Sequence, residues 1–307
     1  MRMKFNVQGK FQPDPFIFED NNMLYMYTSA MTGKGIEAYK SRDLFGEWEY
    51  IGVVAYDEGG KDYWAPSVIK IDGVYYMYMS YQSKYGFQHM HVFKSDSPEG
   101  PFTNPVHLYN RFSIDSHMVQ TEKGLYLWFA QDDLNIEMRG TRVFVDRFID
   151  PITPEHNPKE VILPSFSEEK FLPQCNESGD WYTIEGAFWF KEGDWQYVMY
   201  SGGCFQDETY HIGYASAKSD ETDLTKVDFV KHTNNGRFDP VIIKNEFEEG
   251  TGHNSVIKYN GEYYAIYHGR DYGDRKEGEF VENRSARICK LIVKDGVITA
   301  ERYKDKV

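Results

Sequence analysis

Gln12-Pro13-Asp14-Pro15-Phe16-Ile17 is a stretch that the chain restates four more times, with another residue in the place of Asp14. The restatements are Trp64-Ala65-Pro66-Ser67-Val68, Ile114-Asp115-Ser116-His117-Met118, Ile184-Glu185-Gly186-Ala187-Phe188 and Gly252-His253-Asn254-Ser255-Val256. Read in register, one column runs Asp14, Ala65, Asp115, Glu185, His253. A polar turn and then a Tyr-rich run follow each member, as in Tyr75-Tyr76-Met77-Tyr78 and Tyr263-Tyr264-Ala265-Ile266-Tyr267. Turn pairs such as Asp72-Gly73 and Asn260-Gly261 accept positive φ at both central positions and favour tight hairpins. Similar hairpins at intervals of roughly 50–70 residues predict an all-β fold, a five-bladed β-propeller. The blades are expected at about 12–55, 62–110, 111–163, 184–245 and 250–305, in one domain covering 1–307.

With 307 residues, 41% hydrophobic and 17% aromatic, the chain has ample material for a core. Tyr suits strand faces that are apolar along the ring and wet at the hydroxyl. Aromatic faces also pack on sugar C–H groups. The formal charge of −14 repels phosphate backbones and anionic lipid, which argues against nucleic acid or a membrane as partner. No apolar run approaches the roughly 20 residues of a membrane span, and Met1-Arg2-Met3-Lys4-Phe5-Asn6 has no apolar signal core. Cys175, Cys204 and Cys289 are odd in number, widely spaced and outside any CxxC. They are expected to be free thiols in a reducing, cytoplasmic setting. Residues 146–183 carry Pro151, Pro154, Pro158, Pro164 and Pro173 and break the repeat. A long irregular stretch just before Glu185 is expected to form part of a pocket wall.

The first strand of a propeller blade lines the central axis, so equivalent positions converge. The column therefore predicts a ring of Asp14, Ala65, Asp115, Glu185 and His253. Gathering three carboxylates is costly, because like charges and burial push their pKa values apart. Packing alone gives no reason for acids where Ala65 fits. Acid pairs with split pKa values are what cleavage of a glycosidic bond requires. One carboxylate must be ionised to take a proton from water, and another must stay protonated to donate to the leaving oxygen. The expected roles are Asp14 as general base, Glu185 as general acid and Asp115 as a charged modulator of the acid's pKa.

The set Pro13-Asp14-Pro15, Trp64-Ala65-Pro66-Ser67-Val68, Ser113-Ile114-Asp115-Ser116, Ile184-Glu185-Gly186 and Gly252-His253-Asn254-Ser255-Val256 resembles the glycoside hydrolases of family 43. No single motif is specific, but the five in order span almost the whole chain. The resemblance implies a five-bladed propeller, an inverting mechanism, and the same three roles for Asp14, Asp115 and Glu185. The fructan-cleaving propellers of families 32 and 68 resemble Asn-Asp-Pro, Arg-Asp-Pro and Glu-Cys motifs, which this chain lacks.

The resemblance further implies that His253 approaches the substrate or contacts a hydrated Ca2+ or Na+ on the propeller axis, with no cofactor required. A His satisfying hydrogen bonds inside the tunnel remains open. Trp64 is a candidate for stacking on a sugar, with core packing as the alternative. Arg284 is the candidate for the sugar hydroxyls, with Arg287 as its rival. His268, in Tyr267-His268-Gly269-Arg270-Asp271, belongs to a motif that resembles arabinofuranosidase members of the family. His117 reads as a strand residue, and His89 and His91 lack a third ligand for zinc. The expected function is an exo-acting enzyme that removes α-L-arabinofuranose from arabino- or arabinoxylo-oligosaccharides. β-D-xylosidase is the alternative, followed by endo-arabinanase and by a non-catalytic sugar- or protein-binding propeller.

Overall fold

The structure is a computed structural model that describes residues 1–29, 34–171, 181–275 and 281–304. Of the residues singled out above, Pro173 and Cys175 lie outside the described residues. The hairpins form where the sequence supplies residues that tolerate left-handed backbone. At Asp72-Gly73 φ is +50° and +84°, and at Asn260-Gly261 it is +51° and +84°. These values twist the turn in the sense of the flanking strands. Helix is confined among the described residues to two short 3₁₀ turns, Ser167–Glu169 and Leu224–Lys226.

Among the described residues the strands form five sheets. The first contains Phe16–Asp20, Met23–Thr28, Ile36–Ser41 and Glu47–Ala55, with Lys4–Phe5 added in parallel to its outer edge. The second runs Lys61–Ile71, Val74–Ser83, Gly86–Ser95, Thr103–His107. Ile114–Thr121, Gly124–Asp133 and Gly140–Asp150 make the body of the third, and short strands complete it. The fourth runs Ile184–Glu192, Trp195–Gly202, His211–Lys218, Val230–Lys231. The fifth runs Glu248–Tyr259, Glu262–Asp271, Ser285–Lys294, Val297–Glu301.

The arrangement of the sheets is propeller-like. Each innermost strand touches the innermost strands of the neighbouring sheets: Phe16–Asp20 meets Lys61–Ile71 and Glu248–Tyr259. Apolar clusters fill the gaps between sheets. Tyr78, Met90 and Leu127 join the second to the third, Trp128, Val145 and Val198 the third to the fourth, and Met26, Tyr39 and Ile266 the first to the fifth. Tyr-rich second strands thus pack between sheets, where Tyr27, Tyr78, Tyr126, Tyr197 and Tyr267 are almost fully buried, while Tyr76, Tyr263 and Tyr264 are half-buried.

Near the head of each inner strand an equivalent residue takes left-handed backbone, namely Asp14, Ala65, Asp115, Gly186 and His253, with φ between 46° and 62°; Asp62 and Gly250 do so as well, earlier in their strands. In the last four sheets the strand register shifts at this point, a β-bulge that re-aims side chains. For a non-glycine residue this backbone is disfavoured by about 1–2 kcal/mol. Hydrogen bonds from the preceding sheet offset the strain. The N–H of Asp14 donates to His268 Nδ1 (3.1 Å), Ala65 to Ser29 Oγ (2.7 Å), Gly186 to Asp115 Oδ2 (2.9 Å) and His253 to Ser201 Oγ (2.7 Å). The backbone therefore corrects the column: Gly186, not Glu185, is equivalent to Asp14, Asp115 and His253. Glu185 sits one residue earlier, opposite Ser201, in the place held elsewhere by Trp64, Ile114 and Gly252.

The irregular 146–183 stretch adds Thr153–Pro154 and Lys159–Ile162 to Gly140–Asp150. None of its described residues lines the pocket below, so no described residue there makes the expected wall. Phe171 backs a pocket residue, Phe205, with ring centroids 6.1 Å apart. Residues 172–180 lie outside the described residues. Cys204 and Cys289 are buried free thiols.

Candidate active site

Asp14, Trp64, Ile114, Asp115, Glu185, Phe205, Tyr210, His253 and Arg284 line one open pocket of about 420 Å³, part of it shared with solvent. Left-handed backbone at Asp14, Asp115 and His253 accompanies their place in this pocket, and Glu185 reaches the same space from one residue earlier in its strand. Asp14 and Asp115 are buried, whereas Glu185 keeps part of its surface open.

Asp14 is the most heavily partnered acid. Its Oδ1 lies 3.3 Å from Arg284 Nη1, 3.2 Å from His268 Nδ1 and 3.6 Å from His253 Nδ1. Its Oδ2 accepts the Ser29 hydroxyl at 2.5 Å. Burial alone pushes this carboxyl up, but His253, Arg284 and His268 outweigh it and hold Asp14 well below the ordinary carboxylate range. Arg284 is fixed by Glu282, with Nε–Oε1 3.0 Å and Nη2–Oε2 2.7 Å, and lies over the Phe205 ring at 4.9 Å.

Asp115 and Glu185 have the opposite environment. Burial raises both, and like charge adds to it, from Glu185 and Asp14 on Asp115 and from Asp14 on Glu185. Glu185 is pushed up to about 7, although the Tyr210 hydroxyl, donating to its Oε1 at 2.7 Å, pulls the other way. Asp115 and Glu185 thus face each other's charge, and ionising one disfavours ionising the other.

Of the residues expected at the substrate, Trp64, His253 and Arg284 line the pocket. His268 does not: it is fully buried behind Asp14 and stacked on Tyr210 at 5.5 Å. Its expected contact with substrate is corrected to support of Asp14. Arg287 points elsewhere, into Asp271 (2.6 Å) and Glu248 (3.4 Å). His117 is a strand residue stacked on Phe188 at 3.9 Å. Among the described residues no group of three or more His, Cys, Asp or Glu side chains could hold a metal ion.

Phe205, Tyr210 and Glu282 escaped the sequence reading because they lie outside the repeated hairpin. Arg270, in the motif noted above, holds the loop that carries two of them. Its Nη1 and Nη2 donate to the carbonyls of Phe205 (2.9 Å) and Asp207 (2.6 Å). Two glycines make room: a Cβ on Gly250 would fall 2.1 Å from Arg270 Nη2, and one on Gly252 would fall 1.9 Å from the Tyr210 ring. The readable signal was Gly202-Gly203-Cys204-Phe205, a departure from the repeat beside Tyr210.

Comparison with known proteins follows the same outline. A family model described as glycosyl hydrolases family 43 matches residues 6–298. Xylosidase/arabinosidase 43A of Humicola insolens is 26% identical over 79% of this chain and 76% of its own length. The extracellular exo-alpha-(1->5)-L-arabinofuranosidase ArbA of Cellvibrio japonicus is 24% identical over 85% of this chain and 79% of its own. A thermostable family-43 glycoside hydrolase of known crystal structure superposes with a TM-score of 0.82 at 25% identity, covering 98% of this chain and 96% of the other. With the family match running almost end to end over a propeller-like fold, this chain is a glycoside hydrolase and belongs to family 43 of the glycosyl hydrolases.

Proposed function

We propose that the protein is an inverting, exo-acting α-L-arabinofuranosidase working on arabino- or arabinoxylo-oligosaccharides, built as one catalytic domain of five blades. The observation that carries the mechanism is the split of the acids within one pocket: Asp14 held ionised beside Arg284, Glu185 raised to about 7. Asp14 takes a proton from water as its oxygen attacks the anomeric carbon. Glu185 gives its proton to the glycosidic oxygen as that bond breaks, and the products are the free sugar and the shortened saccharide. Asp115 holds the Gly186 N–H and opposes ionisation of Glu185. Arg284 and Trp64 bind the sugar. No cofactor takes part, and an axial Ca2+ or Na+ would meet the protein at His253 through water.

Support for an arabinose preference comes from the relatives' names and from the Tyr267-His268-Gly269-Arg270-Asp271 motif. A β-D-xylosidase working through the same three acids is the second reading, and one relative's name, Xylosidase/arabinosidase 43A, carries both sugars. Parallel hydrolysis of 4-nitrophenyl α-L-arabinofuranoside and β-D-xylopyranoside, with Asp14→Asn as blank, tests the two. A higher kcat/KM on the arabinoside is expected. Preference for the xyloside would overturn the sugar assignment, and cleavage of neither above the blank would overturn the proposed activity.

Tyr210 supplies a finer test. Its hydroxyl stabilises the ionised form of Glu185, so Tyr210→Phe is expected to raise the Glu185 pKa by about one unit. Activity that depends on protonated Glu185 is then retained to higher pH. A pH profile of kcat/KM checks it, and a basic limb that stays put or moves down contradicts it.

A further inference from the structure

Beyond Trp64, two aromatic rings that the mechanism does not use extend a row away from the pocket. Trp64 lines the pocket and meets Phe87 edge-on, with ring centroids 5.7 Å apart. Phe87 in turn lies nearly parallel to Phe112, at 6.3 Å and 25°. Phe112 stands two residues before Ile114, which lines the pocket itself. The row thus starts inside the pocket and reaches solvent, and Phe87 is 54% exposed.

An exposed ring is ordinary when it is loose, but this one is held. Gln88, next in the chain, is fully buried in left-handed backbone (φ 51°). Its side-chain amide donates to the Asp62 carbonyl at 2.8 Å, and its own carbonyl accepts the Ser113 N–H at 2.9 Å. Those two bonds tie the strand carrying Phe87 to the segments carrying Trp64 and Phe112. Apolar surface fixed at the mouth of a pocket marks a binding site.

Resting on the function proposed above, we propose that Phe87 and Phe112 form the platform for the leaving-group side of the substrate. Successive pentose rings beyond the scissile bond stack there, continuing from Trp64. The −14 charge of the chain fits a neutral saccharide rather than an acidic one. The platform makes efficiency rise with substrate length, because a disaccharide places a single ring beyond the bond and a tetrasaccharide places three.

The test uses Phe87→Ala, Phe112→Leu and the double variant, assayed on α-1,5-linked arabinobiose, arabinotriose and arabinotetraose and on the 4-nitrophenyl arabinofuranoside. The double variant is expected to lose about tenfold in kcat/KM on the tri- and tetrasaccharide. Its kcat on the 4-nitrophenyl glycoside should stay within about twofold. An equal loss on every substrate, or none on the tetrasaccharide, would overturn the platform. If the wild type cleaves none of them, the proposed activity fails instead. Calorimetric titration of the wild type and the double variant with arabinotetraose and xylotetraose then decides the platform: weaker binding by the variant supports it, and equal or absent binding overturns it.

Discussion

Asp14→Asn is expected to lower kcat by about 10³–10⁴-fold on any substrate the enzyme cleaves. The amide keeps the volume of the carboxylate and can still accept the Ser29 hydroxyl, but it cannot take a proton from water. Loss of the charge does not strand Arg284, because Glu282 holds that guanidinium through Nε and Nη2. The His268 contact with the residue-14 N–H survives as well, since it is made to backbone. Thermal unfolding should therefore shift by only a few degrees. Steady-state kinetics together with a melting curve check both halves. A rate within tenfold of wild type would remove Asp14 from the base role, and a large drop in Tm would make the kinetic loss structural.

The second large effect depends on the leaving group. Glu185→Ala is expected to cost about 10³-fold or more on an oligosaccharide, whose departing alkoxide needs a proton. On a 4-nitrophenyl glycoside the cost should be far smaller, within about tenfold, because nitrophenolate leaves unprotonated. The pH profile gives the sign independently. Burial, above all, raises Glu185 to about 7, so its acid form is complete at lower pH and lost as pH rises through that value. Wild-type activity should fall on the basic side near pH 7, and that limb should vanish in Glu185→Ala. Asp14 stays ionised well below the ordinary carboxylate range and sets no limb near neutrality. Equal losses on both substrates, with the basic limb intact, would take the acid role away from Glu185.

Much of this site was legible because it is repeated. Asp14, Asp115 and His253 stand at one backbone position, and a repeat advertises such positions in sequence. Glu185 was found in the right neighbourhood but in the wrong register. Ile184-Glu185-Gly186 aligns by eye with Gly252-His253-Asn254, yet only backbone conformation reveals that Gly186 carries the left-handed turn. The offset has a chemical consequence: the Gly186 N–H binds Asp115 as its equivalents bind their neighbours, while Glu185, one residue earlier, reaches Tyr210. His268 was misjudged for a related reason. Its motif signals importance, but the side chain acts from behind Asp14. Phe205, Tyr210 and Glu282 come from connections outside the hairpin unit, where spacing follows no period and sequence reasoning has nothing to count.

The charge states were partly readable too. Crowded carboxylates must part in pKa, but which one stays ionised depends on where Arg284 lands. In the structure it lands on Asp14, leaving Asp115 and Glu185 without a comparable cation. That asymmetry separates a base from an acid, and it is the core of the proposed mechanism.

The central claim is that Asp14 activates water directly, rather than attacking the sugar. Proton NMR of the first sugar released from an α-L-arabinofuranoside tests it. The β-anomer should appear first and then mutarotate. Release of the α-anomer first would make Asp14 a nucleophile and contradict the account.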